Sequence, residues 1–424
     1  MPALRLLTLN CWGLKYVAKK RNQRLGAIID YLVRSSHDII ALQEVWVYAD
    51  YNKVRVALQH RLPHAKFFYS GALGAGLAIF SRFPFIESAL HPFSLNGEPL
   101  DVAAGDWFVG KAAASVVILH PELGKLHIFT THLYAKGGED GPEYKRAHRL
   151  VNAWEFAKLA RHAAESGHYV IGMGDFNSIP TTLPMAIIRD HAALEDAWTV
   201  THPEGEDIVA SSPLDAIAKY GITADSPVNT WSAGKSYLNS TFWGKRLDYI
   251  LYRQPQGRHC PRLQASDCRV VLTENAPGYN FSCSDHFGLE ATLNFELGSS
   301  QNTLNGHADD PQSELSRNTI TSIMDALTNC YRFSRQRSRK ELYTFVLCVI
   351  LLSAFAVGAA WLPHSWINPL FIVFTIVLSW TATTMLYEGF LYGNWERNAL
   401  LNVIEELDIY QKGLDIQASA RNSS

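Results

Sequence analysis

From residue 1 to about residue 297, short apolar and β-branched runs alternate with longer stretches of helical period. The runs fall at 4–9, 39–42, 77–80, 114–119, 126–131, 169–173, 247–252 and 289–295, and each reads as a β-strand. Between them, 24–33 and 146–162 repeat apolar side chains every three or four positions, the spacing of a helix with one face on a core. Strands interleaved with helices predict an α/β domain over 1–297 with a large sheet content.

The pattern then changes. Residues 298–313 are polar and rich in Gly, Ser, Asn and Asp, the composition of a linker. Within 314–341, Ile320, Ile323, Met324 and Leu327 share one helical face, and Arg332, Arg335, Arg337, Arg339 and Lys340 form a basic juxtamembrane run. Residues 342–361 and 366–387 carry no charge. At about 1.5 Å of rise per residue, each covers roughly the 30 Å of a bilayer's hydrocarbon core. Their short connection makes 342–387 a transmembrane helical hairpin, with both flanks on one side. The basic run before the first span assigns that side to the cytosol. Buried core helices are the alternative, disfavoured because uncharged runs of this length usually cross membranes. The basic run is either a topology signal alone or a patch attracting anionic phospholipids, at about 1 kcal/mol per charge near the surface. On the second reading such lipids are activators. In the tail, 388–424, Leu400, Leu401, Ile404 and Leu407 predict an amphipathic helix.

Composition narrows this picture. Hydrophobic residues make up 47% of the chain, enough for a large core and too many for wholesale disorder. Residues 1–297 hold 29 basic and 29 acidic side chains, without the positive surplus of a phosphate-backbone binder, so no nucleic-acid partner is expected. The six cysteines are scattered and read as free thiols in a reducing compartment. The first ten residues look like a strand rather than a secretory signal, so the acceptor patterns at Asn239 and Asn280 read as chance matches.

The candidate chemistry sits where apolar runs end. Asn10 closes the first run, Glu44 follows the second, and His132 follows 126–131. Asp175 and Asn177 lie in Gly-Asp-Phe-Asn after 169–173, Asp248 lies inside 247–252, and Asp285-His286 precede the last run. Singly, each has an ordinary structural explanation: a turn-forming Asn, an exposed carboxylate, a hydrogen-bonded core His. Jointly, polar residues at the ends of many strands can converge on one sheet edge, where α/β folds place their sites. Carboxylate oxygens for a divalent cation, with an imidazole to activate water, are what phosphate-ester hydrolysis needs.

The order and wording of these residues resemble the endonuclease/exonuclease/phosphatase superfamily, of DNase-I-like fold. The likeness runs from residue 4 to about 296 through Asn10, Gln43-Glu44, Thr131-His132, Gly174-Asp-Phe-Asn177, Leu247-Asp-Tyr249 and Ser284-Asp-His286. It implies a four-layer sandwich, two mixed β-sheets face to face with helices outside. It also implies that Glu44 is the principal Mg²⁺ ligand, helped by Asn10 and Asp285. His286 is then the general base oriented by Asp248, Asp175 and Asn177 position water and phosphate, and His132 stabilises charge on phosphorus. Oxygen donors suit Mg²⁺ independently, and no Cys/His cluster suggests zinc.

Within the superfamily, Asn10-Cys-Trp-Gly13, Glu44-Val-Trp46 and Gly105-Asp-Trp-Phe-Val-Gly-Lys111 are similar to the neutral sphingomyelinase group. There Asp106 and Lys111 match a pair that switches the active site. Read without that likeness, Asp106 is a surface carboxylate and Lys111 a solvated lysine. Ala112 stands where a nucleotide-binding loop needs Ser or Thr, so no nucleotide is expected. The C-terminal spans also occur in this group, and Tyr392-Gly-Asn-Trp-Glu-Arg-Asn398 resembles the fungal inositol phosphosphingolipid phospholipases C. Tyr134-Ala135 departs from the His-Ala frequent after Thr-His-Leu in animal relatives, a change expected to alter headgroup contacts.

The expected function is a Mg²⁺-dependent phospholipase C. It acts on membrane sphingolipids, inositol phosphosphingolipids or sphingomyelin, releasing ceramide and a phosphorylated headgroup. The expected location is the endoplasmic reticulum or the mitochondrial outer membrane, with the catalytic domain facing the cytosol. A nuclease or inositol-phosphate phosphatase on the same scaffold is the first rival, and a catalytically silent membrane scaffold the second.

Overall fold

The computed structural model describes residues 2–102, 105–137, 143–204, 209–232, 243–256, 260–295, 314–361 and 364–421. The linker expected at 298–313 and the acceptor pattern at Asn239 lie outside these residues.

The chain begins with β1 (Ala3–Asn10), α1 (Arg21–Arg34), β2 (Ile39–Gln43), α2 (Tyr48–Leu58), β3 (His64–Phe67) and β4 (Ala78–Ser81). Next come β5 (Phe85–Pro92), β6 (Ala112–His120), β7 (Gly124–His132), α3 (Glu143–Glu165) and β8 (Tyr169–Asp175). Short elements follow: α4 (Leu183–Ala186), β9 (Glu195–Asp196), α5 (Ala197–Thr201) and α6 (Pro213–Tyr220). The sheets are completed by β10 (Asp248–Arg253), β11 (Leu263–Val271) and β12 (Gly288–Phe295).

One six-stranded sheet runs β11-β12-β1-β2-β4-β3 and the other β5-β6-β7-β8-β10-β9. Their facing sides form the central core, with Leu4, Leu6, Ile39 and Ile79 against Val116, Ile128, Ile171 and Ile250. Leu7, Leu9, Ile40 and Leu42 point the other way, onto Leu25, Ile28 and Leu32 of α1 and Val54 and Leu58 of α2. The second sheet's outer face, including Phe129, Val170 and Leu251, packs on α3. This is the expected four-layer sandwich of two mixed sheets with helices outside. Each sheet contains one parallel pair, β1–β2 and β7–β8, and every other named pairing is antiparallel. Parallel register sets Asn10 beside Gln43 and His132 beside Asp175, while the antiparallel β8–β10 pair sets Asp248 beside Asp175. The candidate residues therefore meet at one rim because five strands begin or end there.

The C-terminal region consists of α7 (Arg317–Gly358), α8 (Asn368–Leu386) and α9 (Gly393–Arg421), with a π-helical turn, Tyr387–Tyr392, joining the last two. The amphipathic segment, the basic run and most of the first apolar stretch thus form one continuous helix of 42 residues. Ile320, Ile323 and Leu327 of α7 and Leu400, Val403 and Leu407 of α9 are buried with Leu150, Val151 and Trp154 of α3. The faces read as amphipathic are docking faces on the catalytic domain. Arg337 departs from the expected basic patch, since it is tucked among Glu98, Glu396 and Glu341 while Arg332, Arg335, Arg339 and Lys340 stay exposed. Beyond this base the two helices are long and apolar enough to cross a membrane, and their apolar side chains, such as Ile350, Ile372 and Trp380, are exposed. That supports membrane association, because a soluble core helix would bury them.

Candidate active site

Two backbone features make the rim usable. At Gly174 (φ 152°) a Cβ would lie 2.1 Å from the Thr131 carbonyl oxygen, so only glycine lets β8 approach β7 closely enough to end on Asp175. Glu44 itself adopts φ 55°, a left-handed conformation costly for a side-chain-bearing residue. It is held there by Gly13 N–H donating to the Glu44 carbonyl at 2.9 Å and Val45 N–H donating to Gly76 O at 3.0 Å.

Asp175 lies at the centre. Its Oδ2 accepts from Asn10 Nδ2 at 3.0 Å and lies 3.4 Å from His132 Nε2 and 3.8 Å from His286 Nε2. Its Oδ1 accepts the Asn177 backbone N–H at 2.9 Å, and Asn177 Nδ2 donates to Leu133 O at 3.0 Å. His286 Nδ1 lies 2.8 Å from Asp248 Oδ2, which fixes the ring and turns Nε2 toward Asp175. Asn10 also donates to Glu44 Oε1 at 3.3 Å, while its Oδ1 accepts the Trp12 N–H at 3.0 Å. In this geometry Asn10 shows its N–H to the carboxylates, bracing them together. Ser284 Oγ donates to Asn10 O at 2.7 Å and stitches the Asp285-His286 loop to β1.

Asp106 and Lys111 are not solvated. They form a 2.8 Å ion pair with side chains 8% and 3% exposed. Lys111 Nζ also donates to Leu133 O at 2.9 Å and lies 3.3 Å from His132 Nε2. The pair therefore abuts the rim from the β6 side. All ten residues singled out from the sequence fall in one neighbourhood. Arg24, Asn229 and Trp231, which the sequence did not mark, brace the rim from below and beside it, as does Trp46 of the Glu44-Val-Trp46 stretch. Trp46 Nε1 reaches Glu44 Oε2 at 3.5 Å, and Asn229 Nδ2 donates to Ser284 O at 3.0 Å.

The electrostatics follow from crowding acids at a half-closed rim. Burial first, then the nearby Asp285, pushes the Glu44 carboxyl up to about 7. Burial, helped by Asp248 and opposed by His286, pushes Asp175 to about 6. His132 is held well below its usual value by burial, Lys111 and His286, so it is a neutral imidazole. Burial would lower His286 too, but Asp248 and Asp175 override it and hold the ring well above the ordinary range. The donor set fits a hard divalent cation. Carboxylates raised by burial and mutual repulsion are stabilised by one, and the buried Asp248 Oδ1 has no hydrogen-bond partner. The thiol of Cys11, next to Asn10, packs into the core between sheet and helices, and burial raises its pKa to about 12.

Comparison with known proteins adds four findings. The profile of the Endonuclease/Exonuclease/phosphatase family matches residues 7–286. The inositol phosphosphingolipids phospholipase C of Schizosaccharomyces pombe is 36% identical over 418 residues, covering 96% of this chain and 94% of its own. The sphingomyelin phosphodiesterase 2 of Rattus norvegicus is 33% identical, over 68% of this chain and 64% of its own. Among solved structures, a beta toxin from Staphylococcus aureus superposes with a TM-score of 0.50 at 18% identity, covering 68% of this chain and 99% of the toxin. At that identity the superposition speaks for the fold alone.

Proposed function

The chain belongs to the endonuclease/exonuclease/phosphatase family, and from that premise we propose that it is a membrane-anchored, Mg²⁺-dependent phospholipase C of sphingolipids. It would cut the phosphodiester on the headgroup side of phosphorus's ceramide ester oxygen, leaving ceramide in the bilayer and releasing the phosphorylated headgroup. The observation that carries this reading is the convergence of Asn10, His132 and His286 on the single carboxylate of Asp175. Inositol phosphosphingolipids are favoured over sphingomyelin because the match to the fission-yeast phospholipase extends over nearly the whole chain.

Glu44 and Asp285 would hold the cation, which supplies charge neutralisation at a phosphate oxygen, with Asn10 supporting them. With a cation engaging the carboxylates that otherwise hold a proton on its ring, His286 would be free to take the proton of an attacking water at Nε2. Its pairing with Asp248 makes it a strong acceptor and stabilises the imidazolium that results. Asp175 and Asn177 orient that water and the phosphate. His132 and the Lys111 ammonium beside it would together stabilise oxygens that gain charge at phosphorus. The exposed apolar helices α7 and α8 would hold this rim near lipid headgroups in an internal membrane facing the cytosol. Tethering of this kind raises the effective substrate concentration.

The test is product analysis in mixed micelles with a panel of sphingolipids, soluble inositol phosphates and plasmid DNA, with Mg²⁺ and with chelator. Ceramide formation that needs the metal and falls by about 10²-fold or more in His286→Ala is the expected result. Unchanged turnover in that variant, or hydrolysis confined to DNA or soluble phosphates, would defeat the proposal.

A further inference from the structure

Arg24 lies in the first turn of α1, on a helix whose neighbouring face packs on the sheet, yet its side chain is turned beneath the active rim and is 1% exposed. Four of its hydrogen bonds go to backbone carbonyls. Nε donates to Lys19 O at 2.9 Å, one terminal nitrogen to Cys11 O at 3.0 Å and Cys283 O at 3.1 Å, and the other to Trp12 O at 2.6 Å. Cys11 and Trp12 directly follow Asn10, and Cys283 directly precedes Ser284-Asp285-His286. One planar fork thus clamps the exit of β1 to the loop that carries Asp285 and His286, reaching Cys283 from 259 positions away in sequence.

The clamp is capped by aromatic rings. The guanidinium carbon sits 4.5 Å from the Trp12 ring centre and 5.8 Å from that of Trp231. The two indoles meet edge to face at 5.1 Å, and Trp231 Nε1 donates to Ser282 O at 2.8 Å, on the same loop. Among the described residues, no carboxylate lies within ion-pair distance of Arg24. A buried guanidinium without a contacting counter-ion is unfavourable for stability alone. Here its charge is felt by the carboxylates of Asp285 and Glu44 without contact. Lysine could not serve, since an ammonium lacks the rigid fork that reaches several carbonyls in one plane.

We propose that Arg24 is a positioning residue for the metal and base loops, setting the spacing of Glu44 and Asn10 relative to Asp285 and His286 through the Cys11, Trp12 and Cys283 carbonyls. The assignment rests on the phosphodiesterase reading only for its effect on turnover. Its effect on cation binding does not depend on the substrate.

The experiment uses the full-length protein in detergent and compares wild type with Arg24→Lys and Arg24→Gly. Mn²⁺ binding is followed by the loss of its free-ion electron paramagnetic resonance signal, and lipid turnover is measured on the same samples. Both variants are expected to bind Mn²⁺ about 10- to 100-fold more weakly, the usual effect of removing a group that orients metal ligands. Their kcat should fall by a similar factor with KM within about threefold. Methylguanidinium at millimolar concentration should restore part of both in Arg24→Gly and nothing in wild type. Folded variants with wild-type Mn²⁺ affinity would overturn the proposal. So would a glycine variant whose lost affinity returns on lowering the temperature but not on adding methylguanidinium, since that marks a purely structural role. A wild type that binds Mn²⁺ but turns over no lipid would instead defeat the functional reading and leave the clamp standing.

Discussion

Asp106 and Lys111 show how much a buried pair can hide from a sequence. Their residue types suggest solvent, and only the family resemblance marked them. The structure closes both off and aims Lys111 at His132. Asp106→Ala would strand a buried ammonium and is expected to cost about 3–5 kcal/mol of stability. Asp106→Ala with Lys111→Met removes both charges and should regain most of that loss. Turnover should nevertheless stay low, because the cation beside His132 is gone. Urea denaturation and lipid hydrolysis on the same preparations check this, and a double variant that recovers activity with stability would place the pair outside the chemistry. Arg24 was missed for the converse reason. At helical spacing a charged residue reads as part of a solvated face, and no local pattern says that its side chain turns inward to four separate carbonyls.

At the scale of elements, every apolar run of the first 297 residues became a strand of one of the two sheets. The strands that were missed are β3, β5, β9 and β11, and all four are edge strands. β5 is exposed along nearly its whole length, and β11 carries a bulge between Ala265 and Asp267 that breaks its alternation. An edge strand satisfies its hydrogen bonds on one side and need not be apolar, so its signal is weak. The parallel β7–β8 pair makes the sharper claim. Gly174→Ala would place a methyl group against the Thr131 carbonyl and force the pair apart. The expected loss is about 2 kcal/mol or more in stability, with a larger effect on kcat than on KM because Asp175 and His132 move together. Thermal denaturation and steady-state kinetics check it. A Gly174→Ala protein of wild-type stability would mean the close approach relaxes freely.

Across the whole molecule, buried imidazoles tie stability to pH. Burial and the neighbouring His168 lower His127 to about 4. Burial with Arg161, Lys158 and Arg253 lowers His191 to about 3. In the unfolded chain both return to about 6.5, so between that pH and about 4 the unfolded state binds protons the folded state refuses. Stability is fully present above pH 6.5 and is lost on acidification, at about 1.4 kcal/mol per pH unit for each ring. Replacing His127 and His191 by Gln should flatten the dependence, as read from urea midpoints between pH 7 and 5. An unchanged slope would show that other groups dominate. The same region, α3 with its buried partners on α7 and α9, anchors the apolar hairpin rigidly to the catalytic domain, where the sequence suggested only a tail and a basic patch.

The sequence alone determined the alternation that makes the sandwich, the two apolar spans, and the strand-end residues that carry the chemistry, because each of these is written in neighbouring positions. Tertiary structure decided which distant side chains share a proton or a charge. Asp248 found His286, Lys111 found His132, Arg337 left the basic run for Glu98 and Glu396, and α9 closed on α3. Such pairings depend on the register between strands and on how helices dock. A one-residue slip between strands would send every side chain involved to the opposite face, and one along a helix would turn its contact face by about 100°, and nothing local in the chain records that choice.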